Sequence, residues 1–207
     1  MNPGIELLAF SGLMALGQFS PGPDMILITR TSLARGAGAG AWIAWGIATG
    51  LAVHTTVAIG GLAVAFETLP ILHAILTWAA AAYLLWLASQ MLKAHLNKSD
   101  PTDSSQEIPA VSGHPYARGL ICNLLNPKAV IFIAATCAPF LQGSRPVWWP
   151  VALWCLVVLQ GGLLWTLWAR LLQWHPLRSR YQRAVRWIDT VFAIALIGLA
   201  VKLVIAA

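Results

Sequence analysis

Apolar residues fill six long runs of this chain, and polar residues collect between the runs. Each run is near the length of about 20 apolar residues that an α-helix needs to cross a bilayer. The runs lie at about Ile5–Ile28, Gly40–Ala65, Ile71–Leu92, Gly119–Leu141, Val147–Ala169 and from Trp187 to the end. The pattern predicts an all-α polytopic membrane protein with six transmembrane helices in a single domain.

A polar segment separates the first three runs from the last three. Residues Lys93–Arg118 contain Asn, Ser, Asp, Pro and Gly with charges of both signs, which is typical of a solvated linker. Proline interrupts the first and the fourth run, and breaks at matching positions of two halves indicate inverted repeats. We therefore expect two inverted three-helix repeats, at about residues 1–92 and 119–207, with helices 1 and 4 broken at proline.

Composition and charge agree with a membrane protein. Of 207 residues, 58% are hydrophobic and 10% are charged, against about 25% charged in a typical soluble domain. The net charge of +6 is expected in cytoplasmic loops rather than in a nucleic-acid site. Basic residues between the runs fall mostly on one side: Arg30, Arg35, Lys93, Lys98, Arg118, Arg170, Arg178, Arg180, Arg183 and Arg186, against Arg145 on the other. This asymmetry predicts that both termini and Arg145 face outward.

The most informative stretch runs from Gly17 to Gly50, where Ser20-Pro21-Gly22-Pro23-Asp24 interrupts the apolar sequence. Each proline removes a backbone donor and clashes with the preceding turn of a helix. A carboxylate beside such a break is costly inside a membrane. A broken helix with a charge at the break is typical of a substrate or ion site in a transporter. The alternative is a short loop between two ordinary buried helices.

The fourth run contains a second break at Asn126-Pro127-Lys128. Asn126 is a favourable N-cap, and Pro127 suits the first position of a helix. Gly22 and Pro23 are expected to play the same part in the first run. Each break then presents the N-terminus of a half-helix, whose free N–H groups favour an anion such as a carboxylate.

The two charges at these breaks are predicted to act together. The helix dipole stabilises Asp24 in the first turn of one half-helix, but it opposes Lys128 in the first turn of the other. Lys128 therefore needs a counter-ion, and we predict an Asp24–Lys128 pair that is either permanent or alternates with substrate. An α-amino acid carries both a carboxylate and an ammonium group, so it matches such a site.

Other polar residues and glycines are weaker candidates. Gln18 and Asn123 are expected to line the cavity as neutral hydrogen-bonding groups. His54 is either a hydrogen-bonded packing residue or a proton relay. Trp165 is expected at the inner membrane interface. Gly-x-x-x-Gly spacing predicts close helix packing, with a moving hinge as the alternative, at Gly36, Gly40, Gly46 and Gly50.

Two other classes of function fit the sequence less well. An enzyme within the membrane needs a nucleophile, a base or a metal set inside the runs, and none is evident; neither enzymatic activity nor a metal or other cofactor is expected. A heavy-metal permease would require paired cysteines or a Cys/His cluster. The cysteines Cys122, Cys137 and Cys155 lie apart in apolar runs. A cation or heavy-metal permease of related fold stays as the alternative hypothesis.

The sequence resembles the LysE/RhtB family of amino-acid exporters. The resemblance rests on Pro21-Gly22-Pro23-Asp24 with the glycines at 36, 40, 46 and 50, on Ala81-Ala-Tyr83-Leu84, and on Asn123-Leu-Leu-Asn126-Pro127-Lys128 with Phe132 and Pro139-Phe140. It covers nearly the whole chain. It implies export of an amino acid or a related small metabolite across the bacterial cytoplasmic (inner) membrane, with protons as the exchanged ion and a homodimer as one assembly.

Overall fold

The computed structural model describes residues 2–20, 22–68, 78–79, 81–86, 88–89, 92–93, 113–174, 187, 190–191, 193–201 and 204–205. These residues are helical or lie in turns, bends and short connections, and they contain no strand, so the all-α class is confirmed over them. The helices with defined bounds are α1 (Pro3–Phe19), α2 (Pro23–Thr68), α3 (Pro115–Leu124), α4 (Pro127–Leu141) and α5 (Trp149–Leu171). Of the predicted third and sixth runs, only scattered helical residues are described.

The helices have the length and the surface of membrane spans. By length and composition, α5 and the segment Pro23–Gly61, which contains a turn at Gly36, can each cross a bilayer, and α3 with α4 forms a third candidate that is bent by 63°. One side of α5 exposes Leu159, Leu163 and Leu167 by 50–59%. Such a continuous exposed apolar face suits a lipid environment. The chain is a multi-pass membrane protein.

The first helix begins and ends where its local sequence requires. The side chain of Asn2 caps α1 by accepting a hydrogen bond from the Gly4 backbone N–H at 2.9 Å. The helix ends at Phe19, because Ser20 takes an extended conformation with ψ 136°. The chain becomes helical again at Pro23, which provides the fixed φ of a first helical position. Pro21 lies outside the described residues.

Helix α2 is divided by Gly36, whose φ of 83° and ψ of 170° are not helical. Glycine accepts this positive φ without the steric cost that other residues pay. Gly40 packs against the Ser32 side chain, although residues eight apart in a straight helix are separated by about 12 Å along the axis. The chain therefore turns back at Gly36. The sequence placed Arg30 and Arg35 in a connection between the first two apolar runs; this is wrong, because the helix continues to residue 35 and Gly36 alone makes the turn.

Gly36 also differs from its predicted packing role. A Cβ atom at this position would meet no atom within 4 Å, whereas one at Gly40 would overlap Ser32 and lie 2.7 Å from the Ala169 Cβ. Gly36 thus acts through its backbone conformation, and Gly40 through close approach of its neighbours.

The second part of α2, residues 37–68, runs parallel to α3 in close contact with it. Gly46 lies against the Tyr116 carbonyl, and Gly50 lies against Asn123, where a Cβ would come within 2.5 Å of the amide oxygen. Both contacts depend on the absence of a side chain on α2. Helix α3 starts at Pro115, so the predicted linker is wrong in its last residues, 115–118; residues 94–112 lie outside the described part.

Helix α5 packs on both α2 and α1. The Trp154 indole nitrogen donates to the Ala52 carbonyl at 3.3 Å. On the other side, the Ser11 hydroxyl donates to the Gln160 amide oxygen at 2.7 Å, and the Gln160 amide nitrogen donates to the Ser11 carbonyl at 2.8 Å. At the ends of these helices, Arg145 forms an ion pair of 2.9 Å with the buried Glu6. These contacts hold α5 against α1 and α2.

Substitution of Gly46 tests the contact between α2 and α3. In Gly46→Ala the new methyl group would overlap the Tyr116 carbonyl and lie 2.8 Å from the Leu120 backbone nitrogen. We expect a loss of about 1–3 kcal/mol of stability, because the two backbones must separate. Thermal unfolding of the purified protein in detergent measures this loss. Gly38→Ala is the matched control, since its methyl group meets no atom within 4 Å; an equal loss in both variants would contradict the packing role.

Candidate functional site

A cavity of about 50 Å³ lies between α1, α2, α4 and α5. This volume has room for on the order of three or four water molecules. The lining residues are Met14, Gly17, Gln18, Ser20, Gly22, Asp24, Met25, Leu51, Asn126, Lys128, Ala129, Phe132, Ile133 and Trp165. The lining includes residues from both helix breaks, although these breaks are about a hundred residues apart in the sequence. The fold therefore joins the two interrupted segments at one site.

Asp24 is the acidic group of this cavity. It lies in the first turn of α2 and is 7% exposed. Its Oδ2 atom accepts hydrogen bonds from the Asn123 side-chain amide at 2.8 Å and from the Asn126 side-chain amide at 2.9 Å. Its Oδ1 atom is buried and has no hydrogen-bond partner among the described residues. The Cys122 thiol also interacts with this carboxylate. The two asparagines thus hold one carboxylate oxygen, and the other lies buried at the cavity.

Asn126 joins the second helix break to Asp24. Its side-chain oxygen accepts from the Lys128 backbone N–H at 3.1 Å, which caps α4, while its side-chain nitrogen donates to Asp24. Pro127 occupies the first turn of α4, where no backbone donor is needed. One side chain therefore both starts α4 and orients the carboxylate.

Lys128, in the first turn of α4, reaches the end of α1. Its Nζ atom donates a hydrogen bond to the Ser20 hydroxyl at 2.9 Å. Gly22 is adjacent, and a Cβ there would lie 3.5 Å from the Lys128 Cδ and Nζ atoms. Ser20 and Gly22 thus place the ammonium group beside the end of α1.

The direct Asp24–Lys128 ion pair predicted from sequence is replaced by a different arrangement. Among the residues that the structure describes, one ion pair has a nitrogen–oxygen distance within 4.0 Å, and it joins Arg145 to Glu6, not Lys128 to Asp24. Asp24 is held by two asparagines, and Lys128 contacts Ser20. The asparagine amides and the Ser20 hydroxyl thus supply the hydrogen bonds that the sequence had assigned to a direct contact between the two charges. The two charges still interact electrostatically across the cavity.

Two further polar side chains line the cavity. Gln18 on α1 is 6% exposed, and neither its amide nitrogen nor its amide oxygen has a hydrogen-bond partner among the described residues. Trp165 on α5 is 3% exposed, and its indole nitrogen also has none. Trp165 therefore belongs to the cavity and not to the membrane interface at which the sequence analysis put it.

The remaining candidate polar residues lie behind the cavity. Asn123 is fully buried, and its amide donates to Asp24. The His54 Nε2 atom lies 3.0 Å from the Asn123 backbone carbonyl, which can only accept, so this nitrogen carries a proton. His54 does not line the cavity. Among the described residues, hydrogen bonds connect His54 to Asp24 through Asn123.

Sequence reasoning missed Ser20 and Trp165 as site residues. Ser20 is a polar residue immediately before the Pro-Gly-Pro break, and this position was a usable signal. Trp165 gave no such signal, because the chain has 11 tryptophans and their environment depends on tertiary packing. Within the described part of the chain, no group of three or more His, Cys, Asp and Glu side chains converges on a metal site.

Comparison with known proteins identifies the family. The profile of the family described as "LysE type translocator" matches residues 15–207. The chain belongs to the LysE type translocator family. It is 32% identical over 190 residues to the threonine efflux protein of Salmonella typhi, covering 90% of this chain and 91% of that protein. It is 28% identical to the threonine efflux protein of Escherichia coli K12 over the same length.

A third relative is the leucine efflux protein of Klebsiella pneumoniae, 33% identical over 122 residues that cover 59% of this chain and 57% of that protein. No solved structure gives a significant match. In this LysE type translocator, the matched residues include both helix breaks and every cavity-lining residue except Met14. The family resemblance drawn from the sequence is confirmed.

Proposed function

We propose that this chain exports a small amino acid or a closely related metabolite through the cavity at the two helix breaks. The observation that carries the proposal is the buried carboxylate of Asp24, whose Oδ1 atom accepts no hydrogen bond from an amide, ammonium or hydroxyl group of the described residues, in a cavity that Lys128 also lines. A carboxylate can bind an ammonium group, and a lysine can bind a carboxylate. Similarity to proteins named as threonine and leucine efflux proteins supports export.

The helix ends add to the match with a zwitterion. Both α2 and α4 begin at the cavity, so the positive ends of two helix dipoles lie near it. Together with Lys128 they favour the substrate carboxylate. Asp24 then remains for the substrate ammonium group. An uncharged metabolite or a simple cation would use only part of this arrangement, so the permease alternative has less support.

We infer the finer architecture from the same features. Helices α3 and α4 would form one span that is broken at residues 125–126, and α1 with residues 23–35 would form the corresponding broken span of the first repeat. Two inverted three-helix repeats would then place both breaks at similar depth, as transporters with midplane sites do. The proposed location is the bacterial inner membrane, with a homodimer as the proposed assembly and protons as the exchanged ion.

Efflux from proteoliposomes tests this function. Vesicles containing purified protein are loaded with radiolabelled threonine or leucine, and release is compared with that from protein-free vesicles. We expect release at least about tenfold faster with the protein, and faster again when the outer solution is made acidic, because inward proton flow would drive exchange. If no amino acid of a full panel leaves faster than from protein-free vesicles, the proposed function is wrong. If release is unaffected by the pH gradient, only the proton exchange is wrong.

A further inference from the structure

The Gln18 side chain has unused hydrogen-bonding capacity at the cavity. Both polar atoms of its amide are buried without a partner among the described residues, which is costly for an amide. Other glutamines in contact with α1 and α2 are satisfied: Gln160 pairs with Ser11, and Gln173 donates to the Ser32 and Ala169 carbonyls at 3.1 Å. Gln142, outside the cavity, also has an unpartnered amide nitrogen, but Gln18 is the glutamine of the described residues whose amide nitrogen and oxygen are both unpartnered.

Trp165 shows the same contrast with other tryptophans. A buried indole N–H normally finds an acceptor. Trp149 donates to the Phe140 carbonyl at 2.7 Å, and Trp168 donates to the Thr29 hydroxyl at 3.2 Å. Trp165 is as deeply buried as these residues but has no acceptor in the described part of the chain. Trp165 on α5 and Gln18 on α1 line the same cavity.

We propose that Gln18 and Trp165 form the subsite that reads the substrate side chain, and that this subsite favours a side chain carrying a hydroxyl group. A hydroxyl both donates and accepts. It can therefore donate to the Gln18 amide oxygen and accept from the Trp165 indole N–H or from the Gln18 amide N–H. Asp24 and Lys128 would hold the ammonium and carboxylate groups at the other end. The inference rests on the proposed amino-acid export and adds the feature by which substrates are selected.

The same geometry explains why an apolar side chain is disfavoured. The rest of the lining includes Met14, Met25, Leu51 and Phe132, which accept a small hydrocarbon group of either kind of substrate. An apolar isostere would fill the space but leave the Gln18 and Trp165 groups buried and unpaired. Sites that hydrogen-bond a substrate hydroxyl discriminate strongly against analogues that lack it.

Threonine and valine test this selection, because they differ by a hydroxyl in place of a methyl group. Initial rates of efflux from proteoliposomes are measured for both substrates. We expect the wild-type protein to favour threonine by about tenfold or more, which corresponds to one or two hydrogen bonds. Gln18→Met keeps the length of the side chain and should bring the threonine/valine ratio toward one, mainly by slowing threonine. Trp165→Phe removes the N–H and should lower the ratio in the same direction.

Gln142→Met is the matched control. Gln142 follows the last residue of α4, also has an unpartnered amide nitrogen, and does not line the cavity, so its substitution should leave the ratio unchanged. If Gln18→Met inserts poorly, Trp165→Phe and the wild-type ratio carry the test. The subsite is wrong if the wild-type protein moves valine as fast as threonine, or if neither variant that inserts alters the ratio. Wild-type protein that moves no amino acid at all would instead contradict the proposed export.

Discussion

Asp24→Asn is expected to abolish amino-acid efflux, with a reduction of about a hundredfold or more at equal protein abundance. The substitution removes the only carboxylate among the residues that line the cavity, and with it the negative charge that interacts with Lys128 across the cavity. It also replaces an acceptor that holds the Asn123 and Asn126 amides by a group that is itself partly a donor. Breaking a buried charge interaction costs about 3–5 kcal/mol, so part of the effect should appear as lower abundance.

Lys128→Met and the double variant Asp24→Asn/Lys128→Met separate the loss of substrate binding from the destabilising effect of a single buried charge. Lys128→Met should also lose efflux, because it removes the cation that faces the substrate carboxylate. Since Lys128 hydrogen-bonds Ser20 and Asp24 is held by asparagines, each single variant keeps part of its local structure. The double variant should recover abundance relative to the worse single variant, but it should not recover transport. Fluorescence-detected gel filtration and efflux assays measure the two quantities.

Glu6→Gln provides the control for the loss of an acid. Glu6 is buried on α1, as Asp24 is on α2, but it pairs with Arg145 and does not line the cavity. Arg145 also lies 5.0 Å from the centre of the Trp149 ring, so it retains a favourable contact in this variant. We expect Glu6→Gln to keep most of the wild-type efflux. Equal loss in Glu6→Gln and Asp24→Asn would indicate a general requirement for buried acids and would contradict a binding role for Asp24.

Much of this site could be located from the sequence, because proline and charge are strong signals within apolar runs. The sequence interrupts its apolar pattern at Asp24 and at Lys128, and the structure brings both residues to one cavity. The N-cap chemistry of Asn126 was also readable, since asparagine before proline favours the start of a helix. These features depend on local backbone chemistry, which a sequence displays directly.

The partners of each side chain were less predictable, because they depend on how distant segments pack. The sequence suggested a direct Asp24–Lys128 contact, but the hydrogen bonds that hold Asp24 come from Asn123 and Asn126. The turn at Gly36 was misjudged for a different reason. A single glycine with positive φ reverses the chain, so the fold does not need a long polar loop there. Trp165 resembles the lipid-facing tryptophans until its neighbours are known.

Removal of the second helix break is the other change with a large expected effect. In Asn126→Ala, α4 loses its cap, which costs about 0.5–2 kcal/mol, and Asp24 loses one of its two amide donors. We expect efflux to fall by about tenfold or more. In Pro127→Ala the cap remains, so part of the 63° bend between α3 and α4 should persist and the loss should be smaller. The double variant should allow a continuous helix and lose efflux fully.

Pro139→Ala is the matched control, because Pro139 lies inside α4 and away from the cavity. Its substitution makes the same chemical change in the same helix but leaves the break intact, so efflux should stay near the wild-type level. Abundance and efflux are measured together, and insertion is verified by reporter fusions after Lys98 and Arg180, which the charge distribution predicts to be cytoplasmic. The break has no role in transport if the Asn126→Ala/Pro127→Ala variant inserts normally and exports at the wild-type rate. A graded loss from Pro127→Ala to Asn126→Ala to the double variant would show that the asparagine side chain, more than the proline, holds α4 and Asp24 in the transporting arrangement.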